Sequence, residues 1–346
     1  MSRFRLSQPL SQHGMDYQEA AVGDDDIQSC HSNAMLNQIL SALGPVFFGM
    51  RLGYLGGKSR DLDNKNVGEL NALVMDFAVP IAIFATIIQA SRVTLLGQLP
   101  LAGILSLSMV ILFAATYAMA RWIFGCNRSE ASVQALTTSL PNYAAAGLPL
   151  IAALLGSKEL VAVAVAIACG SIVVSPITLV ILEANAPGDR KGIGRSLVSA
   201  LRKPIVLVPI IAVAVVLVGI PIPDFIQKSL TLMGETAGGA GLFLTGLIVS
   251  AQSLKIALNV ALQAGLANFT HPILVAGLAW LFALAPLAAR EAIVLSALPV
   301  GFFGILFGLR FKLSSAAAGT TLIASTVLSA VTLSAAIYLT AGMGHP

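Results

Sequence analysis

The chain has 346 residues, of which 57% are hydrophobic and only 10% are charged, with a formal net charge of +4. Soluble domains carry about 25% charged residues, so the composition excludes one. A transmembrane β-barrel is also excluded, because its strands would alternate polar and apolar residues in segments of about 10.

Residues 1–34 are polar, contain Asp24-Asp25-Asp26 and have no apolar stretch of the kind a signal peptide needs. They read as a disordered N-terminal extension. Met35 opens the first apolar run and reads as the natural start; the rival reading is a regulatory tail. From there the apolar runs are long and almost free of charge, and about 20 such residues cross a bilayer as a helix. Ten spans are expected, at about 35–56, 67–91, 98–124, 131–156, 159–183, 203–222, 225–253, 258–284, 290–309 and 314–341, with a short amphipathic helix as an alternative start to the eighth. The fold class is therefore an all-α polytopic membrane protein.

Positive charge in short loops sets orientation. With the N-terminus outside, thirteen of the 20 Lys and Arg residues fall on the cytoplasmic side, six outside, and Arg51 lies within span 1. Both termini are then external, and the basic linker 184–202 is cytoplasmic. Lacking a cleavable export signal, the chain is expected in a bacterial inner membrane.

The linker separates two similar halves, 35–183 and 203–346. Span 5 carries Ser171-Ile-Val-Val-Ser175-Pro-Ile-Thr178-Leu179 and span 10 carries Ser325-Thr-Val-Leu-Ser329-Ala-Val-Thr332-Leu333. Both read S-x-V-x-S-x-x-T-L. Leu140-Pro141 in span 4 corresponds to Leu298-Pro299 in span 9. Five spans is an odd number, so the second repeat would enter the membrane inverted, an arrangement common in secondary transporters.

Spans 4 and 9 are interrupted, by Pro141-Asn142-Tyr143 and by Pro299-Val-Gly301. Proline removes a backbone donor and clashes with the preceding turn, and glycine weakens a helix further. Backbone groups freed in lipid must be satisfied by protein or by a watery cavity. One break alone reads as a kink; two at matching positions point to a polar site. A half-helix N-terminus there would suit a carboxylate. Asn142 and Tyr143 are placed to hydrogen-bond a substrate, with helix capping as the alternative role of Asn142.

Asp76 in span 2 and Glu235 in span 7 occupy matching positions when Pro80 is aligned with Gly239. An intramembrane carboxylate is costly, so each is a candidate for ion coupling, against a structural hydrogen bond or an interfacial position. Arg51 reads as snorkelling to the interface, with attraction of an anion as the rival, and His271 as a hydrogen-bonded helix residue beside a kink, with a proton relay as the rival. Gln134, Thr137, Thr138 and Ser296 could line a pathway or bond to their own backbone. Three cysteines without paired spacing indicate neither disulfides nor a metal site. No cofactor or metal is expected, nor is nucleic-acid binding. No H-E-x-x-H, Walker A loop or G-x-S-x-G is present, which argues against an enzyme.

Several of these segments together resemble the auxin efflux carrier family. They are Leu52-Gly-Tyr54-Leu, Leu70-Asn71, Phe77-Ala-Val-Pro80, Leu140-Pro-Asn-Tyr-Ala-Ala-Ala-Gly147-Leu-Pro149-Leu, Pro299 to Gly308, and the serine-rich last span. Within that family the chain most resembles the bacterial malonate-transporter branch. The resemblance implies ten helices, a homodimeric scaffold of spans 1, 2, 6 and 7, and a moving domain of spans 3–5 and 8–10. Spans 4 and 9 would cross at their breaks, and substrate bound there would move by an elevator-like shift. By position, Pro141, Asn142, Pro299 and Gly301 would form the site. Val300-Gly301 stands where many members have an asparagine, and Gly238-Gly239 where many have a proline. The expectation is a secondary carrier of malonate or a related carboxylate, coupled to protons or sodium. A sodium-coupled carrier of bile-acid-transporter type and an anion channel or membrane sensor stay open.

Overall fold

The computed structural model describes residues 40, 43–64, 67–185, 193–251, 257–314 and 316–343. The expectations for the 1–34 extension, for Met35 and for the middle of the linker lie outside these residues.

Among the described residues the protein is all-helical. In order, the helices of eight or more residues are α1 (43–58), α2 (Gly68–Ile87), α3 (Leu99–Ile123), α4 (Arg128–Ser139), α5 (Tyr143–Leu154), α6 (Ser157–Ala184) and α7 (Ile193–Leu201). There follow α8 (Pro204–Val218), α9 (Asp224–Ser250), α10 (Leu258–Leu281), α11 (Pro286–Ser296), α12 (Phe303–Arg310) and α13 (Ala316–Leu339). Helices satisfy their own backbone polar groups, which is what hydrocarbon demands. Six of them, α2, α3, α6, α9, α10 and α13, are 20–28 residues long and apolar enough to cross a membrane. A seventh results if α7 and α8, bent by 64° at Arg202-Lys203, count as one span. These features make the chain a multi-pass membrane protein.

The prolines inside long helices do not produce the sharp breaks their chemistry would suggest. Pro80, Pro149, Pro176 and Pro272 each follow directly on a widened π-turn, at Leu73–Ala78, Tyr143–Gly147, Gly170–Val174 and Leu266–Thr270. A π-turn opens the spacing where proline cannot donate and where its ring would strike the carbonyl one turn back. Long helices therefore stay continuous through their prolines, and α10 runs unbroken through His271-Pro272.

The linker read from 184–202 is helical over Ile193–Leu201. Ser196 and Ala200 are buried against α6, whereas Arg195, Leu197, Val198 and Leu201 are exposed. Spaced three and four residues apart, those apolar residues form the outward face of an amphipathic helix, the pattern of a segment lying in a membrane interface.

Helices α8 and α9 both pack on α2. α1 approaches α9 backbone to backbone. A Cβ on Gly53 would strike the Phe243 carbonyl, and one on Gly246 would strike the Met50 carbonyl. Small residues are the means by which membrane helices gain such contact. Asn64 Nδ2 closes the end of this pair by donating to Ser250 Oγ at 2.8 Å. Helices α3, α6, α10 and α13 pack around the two interrupted segments, α4–α5 and α11–α12.

Candidate functional site

The interruptions lie where proline and glycine mark them. Helix α4 ends at Ser139, and Leu140 turns extended (φ −113°, ψ 100°). On the other side α11 ends at Ser296 and α12 begins at Phe303. The two extended stretches meet as a one-residue antiparallel pairing of Pro141 with Val300. The Asn142 N–H donates to the Pro299 carbonyl at 2.8 Å, and the Gly301 N–H donates to the Leu140 carbonyl at 2.7 Å. Each break thus satisfies the backbone groups freed by the other. Gly301 is required by this approach, since a Cβ there would sit 2.9 Å from the Leu140 carbonyl oxygen. Pro141, Asn142, Tyr143, Pro299 and Gly301, expected as a site, are therefore brought together.

Asn142 is a cap at one end of its amide and unpartnered at the other. Its Oδ1 accepts from the Ala145 N–H at 3.2 Å and caps α5. Its Nδ2, carrying the amide donors, is buried without a partner. The Tyr143 hydroxyl and the Ser171 hydroxyl are buried and unpartnered as well. All three residues line one cavity of about 30 Å³ with Leu140, Pro141 and Phe302. Buried polar groups are nearly always hydrogen-bonded, and here three residues around one cavity each carry an unmatched donor.

The two similar motifs are used unequally at this point. Ser325, the counterpart of Ser171, accepts from the Val300 N–H at 3.1 Å, and its carbonyl accepts from Asn268 Nδ2 at 3.1 Å. Ser325 is committed to the backbone, whereas the Ser171 hydroxyl is free. Sequence reasoning used Ser171 only as evidence for the repeat and did not place it in the site. The signal was present, because Ser171 heads the same motif as Ser325, but which serine is spent on the backbone depends on the pairing at Val300.

A larger cavity of about 630 Å³ adjoins the small one and shares Ala144, Ile167, Phe302 and Phe303 with it. Its walls come from α2, α5, α6 and α9, and it includes Gln89, Thr231 and Glu235. Glu235 is exposed and borders this cavity rather than the small one. Asp76 is also outside the meeting point: it is ion-paired with Arg310 at the end of α12. One turn earlier on α2, Asn71 Nδ2 donates to the Leu306 carbonyl at 3.2 Å. His271 is fully buried, with Nε2 3.2 Å from Ser108 Oγ. Gln134 accepts from Gln263 at 2.7 Å, and Thr137 and Thr138 bond to carbonyls one turn back. No group of three or more His, Cys, Asp or Glu suited to a metal occurs among the described residues.

The chain is similar to the "Uncharacterized transporter YfdV" of Escherichia coli K12, with 26% identity over 309 residues, covering 86% of this chain and 96% of that protein. The same figures hold for the proteins of that name in Escherichia coli O157:H7 and Shigella flexneri. The family described as "Membrane transport protein" matches residues 38–337, which include both interrupted segments. The chain belongs to that membrane transport family, the auxin efflux carrier family expected from its motifs.

Proposed function

We propose that this protein is a secondary carrier of small organic anions, of which malonate or a related carboxylate is the expected substrate, and that it binds them where α4–α5 meets α11–α12. The observation that carries this reading is that Asn142, Tyr143 and Ser171, whose Nδ2, OH and Oγ are buried and unpartnered, line one small cavity. A carboxylate accepts hydrogen bonds only and matches three donors. The first-turn N–H groups of α5 and α12 add positive dipole ends beside it. The cavity of about 30 Å³ holds roughly one water, so a carboxylate enters only in a more open conformation.

The chain works as two inverted five-helix repeats with ten spans, α4–α5 and α11–α12 each serving as one broken span. Support comes from the paired motifs at Ser171 and Ser325, and from packing that repeats with exchanged roles: α1 lies on α9 as α8 lies on α2. On this reading α1, α2, α8 and α9 form a scaffold through which two copies associate, and the other helices move past it in an elevator-like shift. Both termini lie on the outer side of a bacterial inner membrane. Asp76 and Glu235 are the carboxylates at the boundary between the two parts.

The test is uptake of radiolabelled malonate into proteoliposomes under imposed proton or sodium gradients. Uptake driven by one gradient and abolished by Asn142→Ala supports the reading and names the coupling ion. No uptake under either gradient removes malonate. Unchanged uptake in both Asn142→Ala and Gly301→Leu removes the site.

A further inference from the structure

Among the described residues, the carboxylate most deeply withdrawn from water lies in neither expected position. Glu291, in the second turn of α11, is 1% exposed. Its Oε1 has no hydrogen-bond partner, and its Oε2 receives only a long contact from Gln98 Nε2 at 3.5 Å. The Glu159 carboxyl, at the start of α6, faces it. Among the described residues no cation lies within ion-pair distance of Glu291. Its neighbour Arg290 is buried with its Nε unpartnered, and it makes no ion pair there either.

The helices packed on α11 are α3, α6, α10 and α13. Their ionisable groups are few. α6 offers Glu159, beside the exposed Lys158, and farther along Cys169 and Glu183; Glu183 is paired with Lys203. α10 offers His271, which is bonded to Ser108. The chargeable groups of α3 are Tyr117 and Arg121 near its other end, and α13 has the exposed Tyr338. Nothing on these helices neutralises a negative charge at Glu291. An isolated buried carboxylate costs far more than a protein can sustain, and the usual resolution is to hold a proton. Two facing carboxyls resolve their repulsion in the same way, by sharing one.

We infer that Glu291 and Glu159 form a proton-binding site that holds one proton between two carboxyls. This inference rests on the carrier reading above, which it extends by naming a coupling group. The binding step is balanced simply: one proton leaves hydronium and forms an O–H bond on Glu291, donated across to Glu159, and the pair's charge falls from two negative to one. Glu159, half-buried at the beginning of α6, connects the pair to water. Gln98 orients Glu291 as a positioning residue. Glu291 lies on α11, the helix that leads directly into the Pro299–Gly301 break, so charging the pair strains the element that builds the substrate site. Asp76, by contrast, already has its counter-ion in Arg310.

The test uses the full chain reconstituted in lipid, and infrared difference spectra between mildly acidic and alkaline buffers. The expected result is a protonated-carboxyl stretch that titrates in the parent protein, is lost in Glu291→Gln and returns, shifted in frequency, in Glu291→Asp. A band unchanged by Glu291→Gln overturns the inference, as does the absence of any titrating band. A parallel uptake measurement separates the two claims. Proton-driven uptake lost in Glu291→Gln with substrate exchange retained supports coupling at this pair. A titrating Glu291 band in a protein that carries no carboxylate under any gradient supports the proton site and removes the carrier reading. Proton-driven accumulation at parental level in Glu291→Gln overturns the coupling role.

Discussion

At the scale of single residues the account rests on donors without acceptors. Asn142 is the informative case, because one end of its amide holds α5 and the other holds nothing. Replacing it by alanine removes both roles. A hydrogen bond to a charged group contributes about 1.5–3 kcal/mol, and each 1.4 kcal/mol or so is a factor of ten. Asn142→Ala is therefore expected to weaken malonate binding by roughly tenfold or more. Asn142→Asp keeps the cap yet places a negative charge against the substrate, so it is expected to fold normally and to lose uptake. Ser171→Ala and Ser325→Ala separate the two serines. The first should raise the KM for uptake with little effect on thermal stability. The second orphans the Val300 N–H and should lower the unfolding temperature, since an unsatisfied buried donor costs about 1–3 kcal/mol. Equal effects on both readouts would remove the asymmetry on which the position of the site depends.

At the scale of elements, much of the arrangement is legible in the sequence, and the reason is chemical. Proline and glycine mark where a helix can lose its backbone bonds, and the breaks at Pro141 and Pro299 are legible because Leu-Pro steps followed by Asn142 and by Gly301 fall at matching positions of the chain. What those breaks bond to is a long-range matter: no local signal says that Asn142 N–H will meet Pro299 O. The π-turns ahead of Pro80, Pro149, Pro176 and Pro272 were hidden for a similar reason. Proline alone does not reveal whether a helix will kink or widen, a choice its packed neighbours settle. The helix at Ile193–Leu201 was hidden by the charges around it, which read as a loop. The Asp76–Arg310 pair joins residues far apart in sequence, on α2 and α12, and carries its own prediction. Its side chains are 26% and 33% exposed, and exposed pairs contribute about 0–1 kcal/mol. Arg310→Gln should barely change thermal stability. If α12 slides past α2, the same change should shift which face of the protein admits a membrane-impermeant thiol reagent, and the double exchange Asp76→Arg with Arg310→Asp should restore it. The α1–α9 contact behaves differently. Gly53→Leu drives a side chain into the Phe243 carbonyl, and overpacking costs roughly 1–3 kcal/mol, so a clear fall in unfolding temperature in detergent is expected.

At the scale of the whole molecule, the composition established a membrane protein and the short repeated motifs suggested two related halves. The two motifs differ in use: Ser325 serves the backbone at Val300, whereas the Ser171 hydroxyl is unpartnered beside the small cavity. Orientation is the coarse property most open to a simple check. Single cysteines introduced at Lys158 and at Arg202, both exposed, should react with an impermeant maleimide from opposite sides in intact cells, Lys158→Cys from outside and Arg202→Cys only after permeabilisation. Labelling of both from one side would reject the positive-charge assignment and with it the inverted order of the repeats. The central claim, that the meeting of the two broken helices is a carboxylate site, is tested most directly by equilibrium binding of radiolabelled malonate to the purified protein, with unlabelled malonate as competitor and Asn142→Ala and Ser171→Ala in parallel. Saturable, competed binding in the parent protein that falls in both variants is the expected result. Saturable binding of equal strength in all three proteins would contradict the claim.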